Sequence, residues 1–189
     1  PSKPEKSLEV QRKIVEILDK FTTLEAELDC RKRQYEYYRN QLLSFDMLNS
    51  VSSISLGSIG DICMCKRILK QQTSDKGDVP FYKIGTFGKA PDSFISKELF
   101  HKYKEKYNYP VAGEILLSAS GTIGRAVIYD GSDAYFQDSN IVWIKNDESK
   151  VLNKYLYYYY HIAKWNVAEG GTIQRLYNNS LKKMLIPIP

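Results

Sequence analysis

The chain is poor in the residues that usually reveal chemistry, with three cysteines and two histidines among 189 residues. Cys30, Cys63 and Cys65 are odd in number and hold one C-x-C spacing. That does not suggest a disulfide framework and favours a reducing interior. Cys63 and Cys65 could open a metal site, but no second cysteine pair or paired histidine follows, so no metal is expected. No apolar run is long enough to span a bilayer and no signal-peptide pattern is present, so a cytoplasmic chain is expected. Nucleotide fingerprints are missing too. Residues 118–125 (S-A-S-G-T-I-G-R) lack the spacing and the lysine of a phosphate loop, and Gly170, Gly171 and Thr172 read as a turn. There is no dinucleotide fingerprint and no Asn- or Asp-Pro-Pro-aromatic loop to hold a target base. His101 and His161 fall in helical segments with no nucleophile motif beside them. These gaps weigh against independent catalysis and against a cofactor bound by this chain.

What is present begins with residues 7–45, which contain neither Gly nor Pro. Val10, Ile14, Ile17, Phe21, Leu24, Leu28, Tyr35, Tyr38, Leu42 and Phe45 recur at alternating gaps of four and three, interrupted once at Arg31. This is a heptad seam, the period of a helix that packs along another helix. At ~1.5 Å per residue it makes a rod of roughly 55 Å. Ser7 is the expected N-cap, with Glu9 in the first turn. The polar faces carry blocks of both signs, either a solvated surface or a device that sets antiparallel register against a partner. Arg31 on the seam fits the second reading.

Residues 46–55, rich in Ser and Asn, read as a linker. Residues 56–62 (L-G-S-I-G-D-I) form a turn-rich start to a new fold. Strands are expected at 81–84, 114–118, 125–129 and 141–144, each bounded by Gly, Asp, Ser or Asn. Helices are expected at 97–107 and 151–165, and the end, with Pro187 and Pro189, cannot be a helix interior. The fold class is therefore α+β: a long coiled-coil-forming helix (1–45), a linker (46–55) and a mixed α/β domain (56–189).

The net charge of +5 permits nucleic-acid binding without requiring it, and the basic excess sits late in the chain. Three polar patches stand out. One is 172–180, followed by Lys182 and Lys183; another is 137–140; the third is Lys66, Arg67 and Lys70. Amides pair with adenine, Arg with guanine and Lys with phosphate. Each patch alone reads equally well as a solvated turn. Together, on a domain tied to a rod, they favour recognition.

The text of residues 8–21 (L-E-V-Q-R-K-I-V-E-I-L-D-K-F) and 31–45 (R-K-R-Q-Y-E-Y-Y-R-N-Q-L-L-S-F) resembles a conserved-region helix of the DNA specificity subunit of type I restriction-modification systems. The segments L-G-S-I-G-D-I (56–62), Y-K-I-G-T-F (82–87), L-S-A-S-G-T-I-G (117–124), F-Q-D-S-N-I-V (136–142) and G-T-I-Q-R-L-Y (171–177) resemble its target recognition domain. The resemblance implies a subunit without catalytic activity. Two such domains, spaced by two antiparallel helices, read the halves of a bipartite site in double-stranded DNA. The subunit docks modification subunits that bind S-adenosylmethionine and methylate adenine, and the complex recruits a restriction subunit.

This chain departs from that pattern in having one helix and one domain, and it starts with Pro, so it is expected to be half a subunit or a fragment. Two copies are then expected to pair as an antiparallel homodimer through Ile14, Ile17, Phe21, Leu24, Leu28, Tyr35, Tyr38, Leu42 and Phe45. Residue type and loop placement nominate Gln137, Asn140, Gln174, Arg175 and Asn178 for base edges. Lys66, Arg67, Lys83, Lys182 and Lys183 are nominated for phosphates. Part of 172–179 could equally be a structural hairpin. Two rivals remain: a stand-alone methyltransferase or nuclease with its own reader, and a coiled-coil scaffold that binds only protein.

Overall fold

A computed structural model describes residues 3–44, 51–165 and 175–189. The backbone divides into two compact units, 1–45 and 46–189.

The first unit is one helix, α1 (Lys3–Ser44). It starts before Ser7, which is therefore not its N-cap. Pro4 occupies the first turn, where its missing N–H costs nothing. Ser7 lies inside the helix, and its hydroxyl accepts from Gln11 Nε2 at 3.2 Å. Part of the sign blocks is answered within the helix. Lys13 pairs with Glu9 at 3.0 Å, Lys20 with Glu16 at 2.8 Å and Arg31 with Glu27 at 3.9 Å, all one turn apart with the acid leading. The apolar seam has no such answer within the helix: Ile14 is 51%, Phe21 64% and Leu42 74% exposed. Leu8, Val15 and Leu18, equally exposed, widen the stripe over its first half. Phe45 lies outside the described residues.

The second unit is built on a four-stranded antiparallel sheet, ordered β2 (Ile62–Cys63), β8 (Ile141–Ile144), β5 (Ile115–Ser118), β6 (Ala126–Ile128). β5 reads I-L-L-S and β8 reads I-V-W-I, and every residue of both is buried. Such unbroken apolar strands are covered on both faces. Ile115, Leu117, Val142 and Ile144 join one core with Leu56, Leu156, Leu181 and Ile186. Their neighbours Leu116, Ile141 and Trp143 join another with Phe81, Phe87, Phe100 and Tyr135.

The first core is covered by α2 (Leu56–Ile59), α4 (Asn153–Tyr160) and α5 (Asn178–Lys183). Beside them β1 (Ser52–Ser55) pairs antiparallel with β9 (Leu185–Ile188). Residues 52–55 are thus a strand of the domain, not the end of a linker, and Leu56–Ile59 is a helical turn. Pro187 is tolerated because β9 belongs to a two-stranded ribbon. The second core is covered by α3 (Lys97–Lys106) and a mixed sheet ordered β4 (Phe94–Ile95), β3 (Val79–Tyr82), β7 (Tyr135–Phe136). The strand expected at 81–84 sits two residues earlier. The helix expected at 151–165 is confined to α4. Its start is set by Glu148, whose carboxylate accepts from Asn153 N–H at 2.7 Å, and by Asn146 Nδ2, which donates to Val151 O at 2.7 Å.

Candidate nucleic-acid interface

Residues 137–140 link β7 to β8 in a sharp turn, and Ser139 takes a positive φ of 59°. A non-glycine residue there is held by its surroundings. Gln137 N–H donates to Tyr82 O, and Gln137 Oε1 accepts from Ile84 N–H, both at 2.9 Å. Asn140 Oδ1 accepts from Ser120 Oγ at 2.8 Å, and Asn140 O accepts from Ala119 N–H at 2.7 Å. Arg175 Nη2 donates to Ser139 O at 2.9 Å. The turn is thus pinned from β3, from the 119–120 loop and from Arg175.

It forms one wall of a cleft of about 540 Å³ whose lining includes Arg67, Lys70, Lys83, Gln137, Asn140 and Arg175. Five of the ten expected contact residues therefore converge, from four separate stretches of chain. A second hollow, of about 320 Å³, shares Ser139 and Arg175 with the cleft and adds Asn178. The cleft lining holds four cations (Lys70 and Arg67, Lys83, Arg175) and two carboxylates, Asp75 and Asp138. An anionic ligand is favoured, with internal partners to be displaced or bypassed.

The convergence refines the roles. Gln137 and Asn140 each spend the amide oxygen on the fold, leaving the NH₂ group. A bidentate adenine contact uses both ends of the amide. Arg175 spends one nitrogen on Ser139. Lys83 pairs with Asp92 at 2.9 Å and Arg67 with Asp138 at 2.8 Å. Lys66 sits outside the lining, its Nζ 5.2 Å from the centre of the Tyr107 ring. Asn178 opens α5 rather than lying in a loop, and Lys182 and Lys183 form its exposed last turn, away from the cleft lining. Gln174 lies outside the described residues.

Lys70 and Asp138 also line the cleft, though neither is among the expected contact residues. The pairing of Asp138 with Arg67, 71 positions away, has no local signal. Cys63 and Cys65 are buried among aromatic side chains, and burial pushes the Cys65 thiol up to about 12, so it stays protonated. Among the described residues no group of three or more His, Cys, Asp or Glu could hold a metal.

Residues 50–189 match the family model described as the type I restriction modification DNA specificity domain. The chain belongs to that family. A type I restriction enzyme specificity subunit of Haemophilus influenzae is 61% identical over 194 residues, covering 96% of this chain and 50% of the relative. The chain thus spans about half the length of that relative. Among solved structures, the HsdS subunit of Thermoanaerobacter tengcongensis superposes with a TM-score of 0.53 at 15% identity, covering 96% of this chain and 46% of that one. The type I S subunit of M. genitalium gives 0.51 at 18% identity, covering 74% and 34%. At such identities the likeness is one of fold. The fold class read from the sequence, a long helix followed by a mixed domain of this family, is the one observed. No described helix is long and apolar enough to cross a membrane.

Proposed function

We propose that this chain is the recognition half of a type I specificity subunit, reading one half of a bipartite double-stranded DNA target. In this reading it works in the cytoplasm and docks modification subunits, which supply S-adenosylmethionine and methylation; the restriction subunit joins through the complex. The chain itself catalyses nothing. Two copies, joined antiparallel through the α1 seam, present the same reader twice and select an inverted repeat with a spacer.

The convergence of Arg67, Lys83, Gln137, Asn140 and Arg175 on one cleft, inside the family-matched residues, carries the reading. Guanidinium and ammonium groups meet phosphates, and amides and guanidinium meet base edges. A gel shift with random-sequence duplex at low salt, followed by a salt titration, tests it. Binding that weakens linearly in log–log form with salt is expected. No shift at low salt overturns it in favour of a protein-binding scaffold. Methylation assayed with this chain alone is expected to be nil, and any turnover overturns the non-catalytic role.

A further inference from the structure

We propose that Arg67 reads a guanine, aimed by Asp138, and is not a phosphate clamp. The inference rests on the DNA-reading function above and assigns one contact within it.

Arg67 Nε donates to Asp138 Oδ2 at 2.8 Å. The Arg67 side chain is 67% exposed and that of Asp138 only 15%. The carboxylate is thus the fixed partner. It sits in the pinned turn, where Asp138 O also accepts from Asn140 N–H at 2.7 Å. A guanidinium has two donor edges. The Nε bond tethers the group beside the turn, and the Nη1–Nη2 edge makes no side-chain hydrogen bond with any described residue. That edge is a fork of two near-parallel N–H groups, matching O6 and N7 of guanine in the major groove.

Charge points the same way. Asp138, 15% exposed and fixed in the turn, stays beside Arg67 and repels a phosphate, unlike the 58% exposed Asp92 that pairs with Lys83. Lys70 lines the same cleft with no ion pair among the described residues, and suits a phosphate better. A carboxylate kept in the wall of an anion-binding cleft is explained if it orients a base-reading side chain.

The test selects bound duplexes from a random-sequence pool with the full chain and sequences them. The wild type is expected to yield a motif containing guanine. Arg67→Lys keeps the charge and loses the fork. It is expected to lose preference at one guanine by about ten- to hundred-fold while the salt slope stays unchanged. Asp138→Asn is expected to blur the same position. The double variant R67A/D138N, which leaves no orphan carboxylate, is expected to lose that position alone. Circular dichroism confirms that each variant is folded. If Arg67→Lys keeps the motif, or R67A/D138N weakens all duplexes equally, the inference is overturned and DNA reading stands. If the folded wild type selects no motif, DNA reading falls and takes the inference with it.

Discussion

Lys182 and Glu114 carry expectations that belong to single side chains. Lys182 is exposed on α5 outside the cleft, so its expected role is charge alone. Lys182→Ala should weaken binding to specific and scrambled duplexes alike and reduce the salt slope by about 1, measured by titration of both. Glu114 is 3% exposed, and its carboxylate accepts from Val111 N–H at 2.8 Å. Burial raises its pKa above the ordinary carboxylate value, against smaller opposing effects of that hydrogen bond and of Lys145. The folded state therefore holds the proton more tightly than the unfolded state. Stability is highest with Glu114 protonated and falls as pH rises past the unfolded value, the loss being complete above the folded one. Glu114→Gln should melt higher than the wild type at neutral pH, and the gain should vanish below about pH 4. Thermal melts at both pH values check it.

At the scale of elements, the domain depends on strands that meet closely. Gly60 precedes β2, and a Cβ there would lie 1.8 Å from Lys145 O. Its φ is extended, so the objection is steric rather than conformational. Lys145 cannot retreat without breaking its N–H bond to Asp61 O, 2.9 Å long. Gly60→Ala should cost about 1–3 kcal/mol by urea unfolding, from displacement of β2 against β8. Strand periodicity was legible for β5, β6 and β8 because their runs are apolar and bounded by turn residues. β1 was not legible: S-S-I-S has the composition of a linker, and only the distant β9 supplies its ladder. The helix at 151–165 was read too long mainly at its end: it stops at Tyr160, with the His161 N–H turned back to Tyr158 O, and no Gly or Pro at 161–165 marks that stop.

At the scale of the molecule, the exposed stripe of α1 sets the remaining expectation. Lys13, Lys20, Arg31 and Lys32 pair within the helix, so in the proposed dimer the apolar seam carries much of the register. Leu24 is 59% exposed near the middle of the seam. Sedimentation of the wild type at micromolar concentration should show a dimer, and Leu24→Asp should shift it to monomer with α1 still helical by circular dichroism. A wild-type monomer with intact helix overturns the paired arrangement.

The order of residues by itself determined the helix, its seam, the strands β5, β6 and β8 and the stretches from which the cleft is drawn, because these depend on local period and composition. Which of those polar groups hold the fold was decided only by tertiary structure. Gln137, Asn140 and Arg175 spend hydrogen bonds on the turn, and Arg67 meets Asp138 across 71 positions. A side chain's type limits what it can bond to, but the groups within about 3 Å of it are set by how distant segments pack.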